Sequence, residues 1–292
     1  TAAAHGLAVN DKVVIAGMGI AGYNGAQTVT AVSDTTHYEI NVAYSADADE
    51  TGTWTHDLSA ITGLSGDCGG NTGITFTTSQ TQYWTADASA SDNWSDATNW
   101  DAADHSTAQR VPLPQDDVIF DAGSFAADGK TVVQDTSRAA RDLDFSAIDQ
   151  TMTLTWGTTS IFGKLVYGTM NFTTVTVNIN LEGRAGPYDI TTNGRTNNSA
   201  ASYFMYAPGG TYRFTDAFNM GPGKTFQLAN GTLDANDQNF TGGIFAASSG
   251  TTVIMGNGTW ELTYNVTSTG VWNVNSGAAV TCEGSTIKFT GT

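Results

Sequence analysis

The fold is decided by a series of short stretches: Thr225-Phe226-Gln227-Leu228, Thr252-Val253-Ile254-Met255, Thr259-Trp260-Glu261-Leu262-Thr263-Tyr264, Val271-Trp272-Asn273-Val274, Ala279-Val280-Thr281-Cys282 and Thr286-Ile287-Lys288-Phe289. Each is rich in β-branched and aromatic residues and too short for a helix, which makes it a strand. Between them stand Asn230-Gly231-Thr232, Ser249-Gly250-Thr251, Asn257-Gly258-Thr259 and Ser276-Gly277, the residue types that turn a chain sharply. A strand followed by a Gly/Asn corner, repeating at about 20 to 30 residues, is the signature of a β-solenoid. One coil cannot bury its apolar face alone; the next coil does that. The pattern runs on through Ile287-Lys288-Phe289-Thr290-Gly291-Thr292 without a polar cap, so a longer chain or a partner is expected to cover that end.

Working backwards, Thr131-Val132-Val133, Leu143-Asp144-Phe145, Met152-Thr153-Leu154-Thr155-Trp156, Lys164-Leu165-Val166-Tyr167, Asn171-Phe172, Val175-Thr176-Val177 and Tyr188-Asp189-Ile190 continue the series. Their spacing of about 10 residues fits one face of a coil per strand. Asn193 to Gly210 reads as a longer excursion around Tyr203-Phe204-Met205-Tyr206. Aromatics on a loop leaving a rigid scaffold are where binding concentrates, so Tyr203 and Tyr206 are candidate glycan or partner contacts; the plainer reading folds the loop back onto the stack.

Composition agrees with an all-β chain. The 292 residues include 33 Gly, only 11 Lys and Arg, and 13% charged residues; Leu-rich helical runs are missing. The net charge of −17 repels phosphate backbones and argues against nucleic-acid binding. It suits solubility in salty extracellular water, with divalent cations as possible company. Cys68 and Cys282 are too few and too distant for a disulfide framework. No apolar run approaches the ~20 residues of a membrane span, so membrane insertion is not expected. The chain opens Thr1-Ala2-Ala3-Ala4 without Met, which reads as a processed or truncated start.

Residues 1–50 form a first small β module. Lys12-Val13-Val14-Ile15-Ala16-Gly17 is a strand, and Ala26 to Val32 and His37 to Val42 follow as two more around the turn Ser33-Asp34-Thr35-Thr36. Gly17-Met18-Gly19-Ile20-Ala21-Gly22 matches G-x-G-x-x-G. A dinucleotide site needs a helix after the loop and an acid about 20 residues on; here Tyr23-Asn24-Gly25 and a Thr/Val strand follow, so the loop is read as a β connection. His5-Gly6, Asn10-Asp11-Lys12-Val13-Val14-Ile15-Ala16-Gly17 and Tyr23-Asn24-Gly25-Ala26-Gln27-Thr28-Val29-Thr30-Ala31-Val32 resemble small modules common in phage tail and virion proteins, with Asn10-Asp11 where Gly-Asp is usual.

Residues 51–82 read as a linker with short strands, entered through the acidic turn around Asp47, Asp49 and Glu50. Clustered carboxylates are what Ca²⁺ wants, so these three are the candidate metal ligands, without full EF-hand spacing; no other cofactor is expected. Residues 83–125 hold Tyr83-Trp84, Asp92-Asn93-Trp94-Ser95-Asp96-Ala97-Thr98-Asn99-Trp100 and Val111-Pro112-Leu113-Pro114-Gln115-Asp116-Asp117-Val118-Ile119-Phe120-Asp121. These resemble the segment that begins β-solenoids in bacterial surface proteins, autotransporter passengers and phage fibres. Trp94 and Trp100 are large enough to plug the open end of a stack, with Pro112 and Pro114 blocking edge pairing. The alternative makes Trp84, Trp94 and Trp100 a sugar-stacking platform with Tyr83.

No nucleophile motif and no zinc spacing among His5, His37, His56 and His105 is present. A polysaccharide-cleaving solenoid would draw on Asp189, Arg184, Arg195, Asp216, Arg213, Asp234 and Asp237. The expected architecture is therefore all-β: module 1–50, linker 51–82, Trp-rich start 83–125 and a parallel β-solenoid over 126–292. The two resemblances together imply a virion appendage such as a tail fibre, spike or head fibre. It would be a homotrimer, with virion proteins or a cell-surface glycan as partners. A bacterial adhesin or surface filament is the alternative, and a polysaccharide-degrading solenoid enzyme the second.

Overall fold

A computed structural model describes residues 6–43, 52–56, 66–71, 76–85, 92–168, 172–175, 178–195, 202–221, 223–263 and 270–290. The chain is all-β, and it divides into two compact units, Thr1–Thr78 and Ser79–Thr292.

The first unit is a small antiparallel sheet of β1 (Lys12–Ala16), β2 (Gly25–Val32), β3 (Tyr38–Ile40) and β4 (Thr53–His56), in the order β3-β2-β1-β4. Thr53–His56, a short strand within 51–82, joins this sheet as its fourth strand, with Ile15 paired to Trp54 in register. Alternation along β1 and β2 sends Val13 and Val29 into a core with Leu7, and Ile15, Val32, Tyr38 and Ile40 pack against it. The glycine-rich loop leads through a 3₁₀ turn, Ala21–Tyr23, directly into β2. Asn24 ties that loop shut, accepting from Met18 N at 2.9 Å and donating to Met18 O at 2.7 Å.

The second unit is a parallel β-solenoid of about 6 turns. It starts with β5 (Thr81–Trp84) and the antiparallel β6 (Trp100–Asp101). The coils then run β7 (Asp117–Asp121), β8 (Lys130–Gln134) and β9 (Arg138–Ala140); β10 (Leu143–Ala147), β11 (Met152–Trp156) and β12 (Thr159–Ile161); β13 (Leu165–Val166), β14 (Phe172–Val175) and β15 (Ile179–Leu181). After β16 (Tyr188–Thr191), β17 (Tyr203–Phe214) passes unbroken from the third face of one coil to the first face of the next. β18 (Phe218–Asn219) follows, and β19 (Thr225–Asp234) repeats the long crossing. The stack closes with β20 (Phe240–Gly242), β21 (Ile244–Ala247), β22 (Thr252–Ile254), β23 (Thr259–Leu262), β24 (Trp272–Val274), β25 (Ala279–Thr281) and β26 (Thr286–Phe289). Val118, Leu143, Leu165, Ile190 and Phe214 stand in register up the first face. The Asn230-Gly231 corner needs its glycine: φ is +92°, and a Cβ would meet the Ala207 carbonyl oxygen of the neighbouring coil.

Inside the coils the large rings fall in register and form ladders. Trp84, Phe120 and Phe145 stack at centroid distances of 5.7 and 4.8 Å. Tyr203, Phe226, Phe245 and Trp272 form a second ladder at 6.0, 5.9 and 5.3 Å. A third contains Phe218, Phe240 and Trp260 at 6.0 and 4.9 Å. Offset ring pairs add about 0.5–1.5 kcal/mol each beyond their area. At the first coil Trp84, Trp94 and Trp100 are fully buried against one another and Phe120. Trp100 Nε1 donates to Trp94 O at 2.8 Å, and Trp94 N donates to Val133 O at 2.7 Å, so this knot covers the edge of β8 while β5 covers β7. At the other end Trp272, Val280 and Ile287 are only half-buried, and Phe289 is 62% exposed.

The abundant aspartates have a place in this scheme. At coil corners a carboxylate accepts a backbone N–H of the neighbouring coil: Asp128 from Thr151 at 2.7 Å, Asp142 from Lys164 at 2.8 Å, Asp216 from Thr192 at 2.8 Å and Asp237 from Asn257 at 2.8 Å. A backbone N–H leaving a corner needs an acceptor, and a charged one binds it more strongly. The backbone N–H and hydroxyl of Thr151 hold the Asp128 carboxyl below its ordinary value, and those of Thr107 do the same for Asp104. A depressed folded-state pKa stabilises the fold above the unfolded value, near 4, and that contribution is lost as pH falls through the folded value. Asp117 opposes them, because burial raises its pKa. At the alkaline end burial pushes the Tyr167 phenol up to about 12, so its contribution, whole below pH ~10, is lost as pH rises through 12. Thermal melts are therefore expected to be highest between about pH 4 and 10; a melting temperature unchanged from pH 7 down to 2 would refute the corner-cap account.

Candidate functional site

The aromatic residues singled out in the sequence separate into two groups. Trp84, Trp94 and Trp100 have no exposed surface; no face is left for a sugar, and they serve as packing at the first coil. Tyr203 is likewise fully buried, its hydroxyl 2.8 Å from that of Tyr167. The expected loop around it is the start of the 12-residue strand β17. The reason is the period of two: Tyr203, Met205 and Ala207 point into the core, and Phe204 and Tyr206 point out.

Outward, Phe204 and Tyr206 stack with nearly parallel planes, centroids 6.1 Å apart and planes inclined by 6°. Tyr206 is 41% exposed. Phe204 stands in register between Asn180 and Gln227, and Tyr206 beside Asn230. Two aromatic rings on the outer side of one strand, Tyr206 well exposed, present apolar surface beside the Asn180 and Gln227 amides, groups that both donate and accept hydrogen bonds. That is the surface a sugar ring needs, apolar C–H face on one side and hydroxyls around the rim. Sequence reading found Tyr206 but missed Phe204, Asn180, Gln227 and Asn230; only the strand register shows them as neighbours.

Four of the aspartates considered for catalysis, and Arg213, are occupied otherwise. Asp189 accepts from Arg213 Nη2 at 2.7 Å, Asp234 from Asn236 N at 2.8 Å, and Asp216 and Asp237 are corner caps. Asp117 and Asp142, on neighbouring coils of the first face, line one small hollow together. Arg141 grips Asp117 through two hydrogen bonds of 2.9 and 2.6 Å, and Asp142 holds Lys164 N. The hollow there has a volume of about 190 Å³, below the ~300 Å³ at which small-molecule sites begin. Neither carboxylate is placed as a poised acid or base.

Asp47, Asp49 and Glu50 lie outside the described residues. Among the described residues no three His, Cys, Asp or Glu side chains gather where a metal ion would sit, and no helix is long and apolar enough to cross a membrane. No known family pattern, curated protein or solved structure matches the chain.

Proposed function

We propose that this chain is a structural and adhesive protein that binds a neutral glycan on the outer face of its solenoid. The observation carrying this reading is the outward-facing, parallel-stacked Phe204–Tyr206 pair with Asn180 and Gln227 beside it. The scaffold supports it: binding residues on β-strands are held more rigidly than on loops. The charge of −17 disfavours acidic glycans and leaves neutral ones. In this proposal the setting is a virion appendage of a phage, a homotrimer that meets a host-cell polysaccharide; the front-module and solenoid-start resemblances are its support. An adhesin on a bacterial surface would use the same face in the same way.

Analytical ultracentrifugation with and without neutral polysaccharides reads both parts of the proposal. The free protein is expected at three times 30.5 kDa, and one polysaccharide is expected to shift it. Tyr206→Ala, on an exposed ring, is expected to weaken that binding by about tenfold, as loss of a stacking contact of ~1–1.5 kcal/mol implies, with the melting temperature nearly unchanged. Retention of full binding by a Phe204→Ala, Tyr206→Ala double variant would sink the glycan reading, and a monomer would sink the trimer.

A further inference from the structure

The small first unit contains a feature that the solenoid reading does not use. Between Tyr38 on β3 and Trp54 on β4 lies an open cleft of about 580 Å³, with Tyr23 and Met18 on the loop before β2 and Ile40 completing its wall. The cleft lies in the usual size range for a small-molecule site. Tyr38 and Trp54 meet edge to face, centroids 5.8 Å apart and planes inclined by 67°. Two rings at such an angle form an inside corner rather than a flat platform. Trp54 is 37% exposed, an amount that leaves much of the indole available. Among the residues lining the cleft the one charged side chain is Glu39, which is exposed.

From this we infer that the cleft is a site for an organic cation, a quaternary or methylated ammonium group. The chemistry follows from the wall. Aromatic faces are the negative side of the ring quadrupole and attract a cation within ~6 Å of their centroids. Methyl groups on the ammonium fill an apolar corner that a bare, strongly hydrated ammonium would not. Glu39, exposed on β3 between Tyr38 and Ile40, adds a negative charge near the cleft, and no Lys or Arg stands in the lining to oppose a cation. A chain of net charge −17 concentrates cations near its surface and repels anionic ligands. The edge-to-face rings of this corner differ from the parallel-stacked Phe204–Tyr206 pair on the solenoid. The two sites therefore take different ligands, and this inference stands without the glycan reading.

The test uses the whole chain with choline as the probe and 3,3-dimethylbutan-1-ol, its uncharged isostere, as the control. Ligand-observed NMR titrations are expected to show saturable choline binding, with the isostere weaker by about fivefold or more, the amount that a cation–π contribution implies. Glu39→Gln, an exposed position, is expected to weaken choline about threefold and leave the isostere unchanged. Trp54→Ala is expected to abolish choline binding, whereas Tyr206→Ala leaves it intact. Equal affinity for choline and its isostere would overturn the cation site in favour of a merely apolar slot. Absence of saturable binding by the unmodified chain, or choline binding undiminished in both Glu39→Gln and Trp54→Ala, would overturn it outright.

Discussion

Phe240→Ala is expected to cost about 3–5 kcal/mol, the usual range for removing a buried Phe ring from a core that cannot collapse around the gap. Phe240 stands between Phe218 and Trp260 in one ladder and meets Phe226 and Phe245 edge-on at 6.1 and 5.9 Å. Its removal leaves rings on several sides facing a void, and rigid rings on a hydrogen-bonded coil have little freedom to close it. Solenoid coils interact with their nearest neighbours, so the loss is expected to stay local. Amide hydrogen exchange is the suitable measurement: β20, β23 and β26 should lose protection while β7 and β10 keep theirs. A uniform loss along the stack, or a cost below about 1 kcal/mol, would show that the ladder is not what holds these coils together.

The second large effect is expected at Asp116, whose carboxylate is fully buried. It accepts from Leu113 N at 2.7 Å, from Gln80 N at 2.8 Å and from Arg110 Nη2 at 2.9 Å. One side chain thus fastens the chain before β5, the Pro112–Pro114 turn and a guanidinium to the start of β7. Asp116→Ala strands two backbone donors and removes the carboxylate from Arg110, which keeps its bond to Gln80 at 2.7 Å. Breaking a buried pair by removing one partner costs about 3–5 kcal/mol. Urea titration of the variant checks this, and Asp116→Asn provides the comparison, since it keeps an acceptor and loses the charge. An alanine variant within about 1 kcal/mol of the parent would mean that Arg110 and the two amides find other partners cheaply.

The solenoid was legible because its determinants are local. Strand and corner alternate along the chain, and residues such as Phe226, Val253 and Trp260 point inward by the period of two alone. The Trp-rich start was legible for a related reason: three indoles within a short stretch have few places to go except a covered end. What escaped the sequence depends on register between coils. Whether Tyr203 or Tyr206 faces water follows from which coil lies beside β17, and Asn180 and Gln227 become neighbours of Phe204 only through parallel pairing. The aspartates escaped for the same reason. Asp142 and Asp237 look like surface charge until the backbone N–H that each receives, one coil away, is known. The cleft of the first unit joins Tyr23, Tyr38 and Trp54, which share no spacing motif and meet only because the two edge strands of a curled sheet approach each other.

The stacking of parallel coils also sets how the protein uses its chain in space. A coil occupies about 20 to 27 residues yet lengthens the stack by only one strand spacing, about 4.8 Å. About 6 turns therefore reach roughly 30 Å, a distance that a single α-helix spans with about 20 residues. Measured as reach, the architecture is extravagant; measured as wall, it is generous, because every added coil extends three flat faces at once. Each coil thus adds area rather than distance, and Phe204 and Tyr206 lie on one of the faces so built.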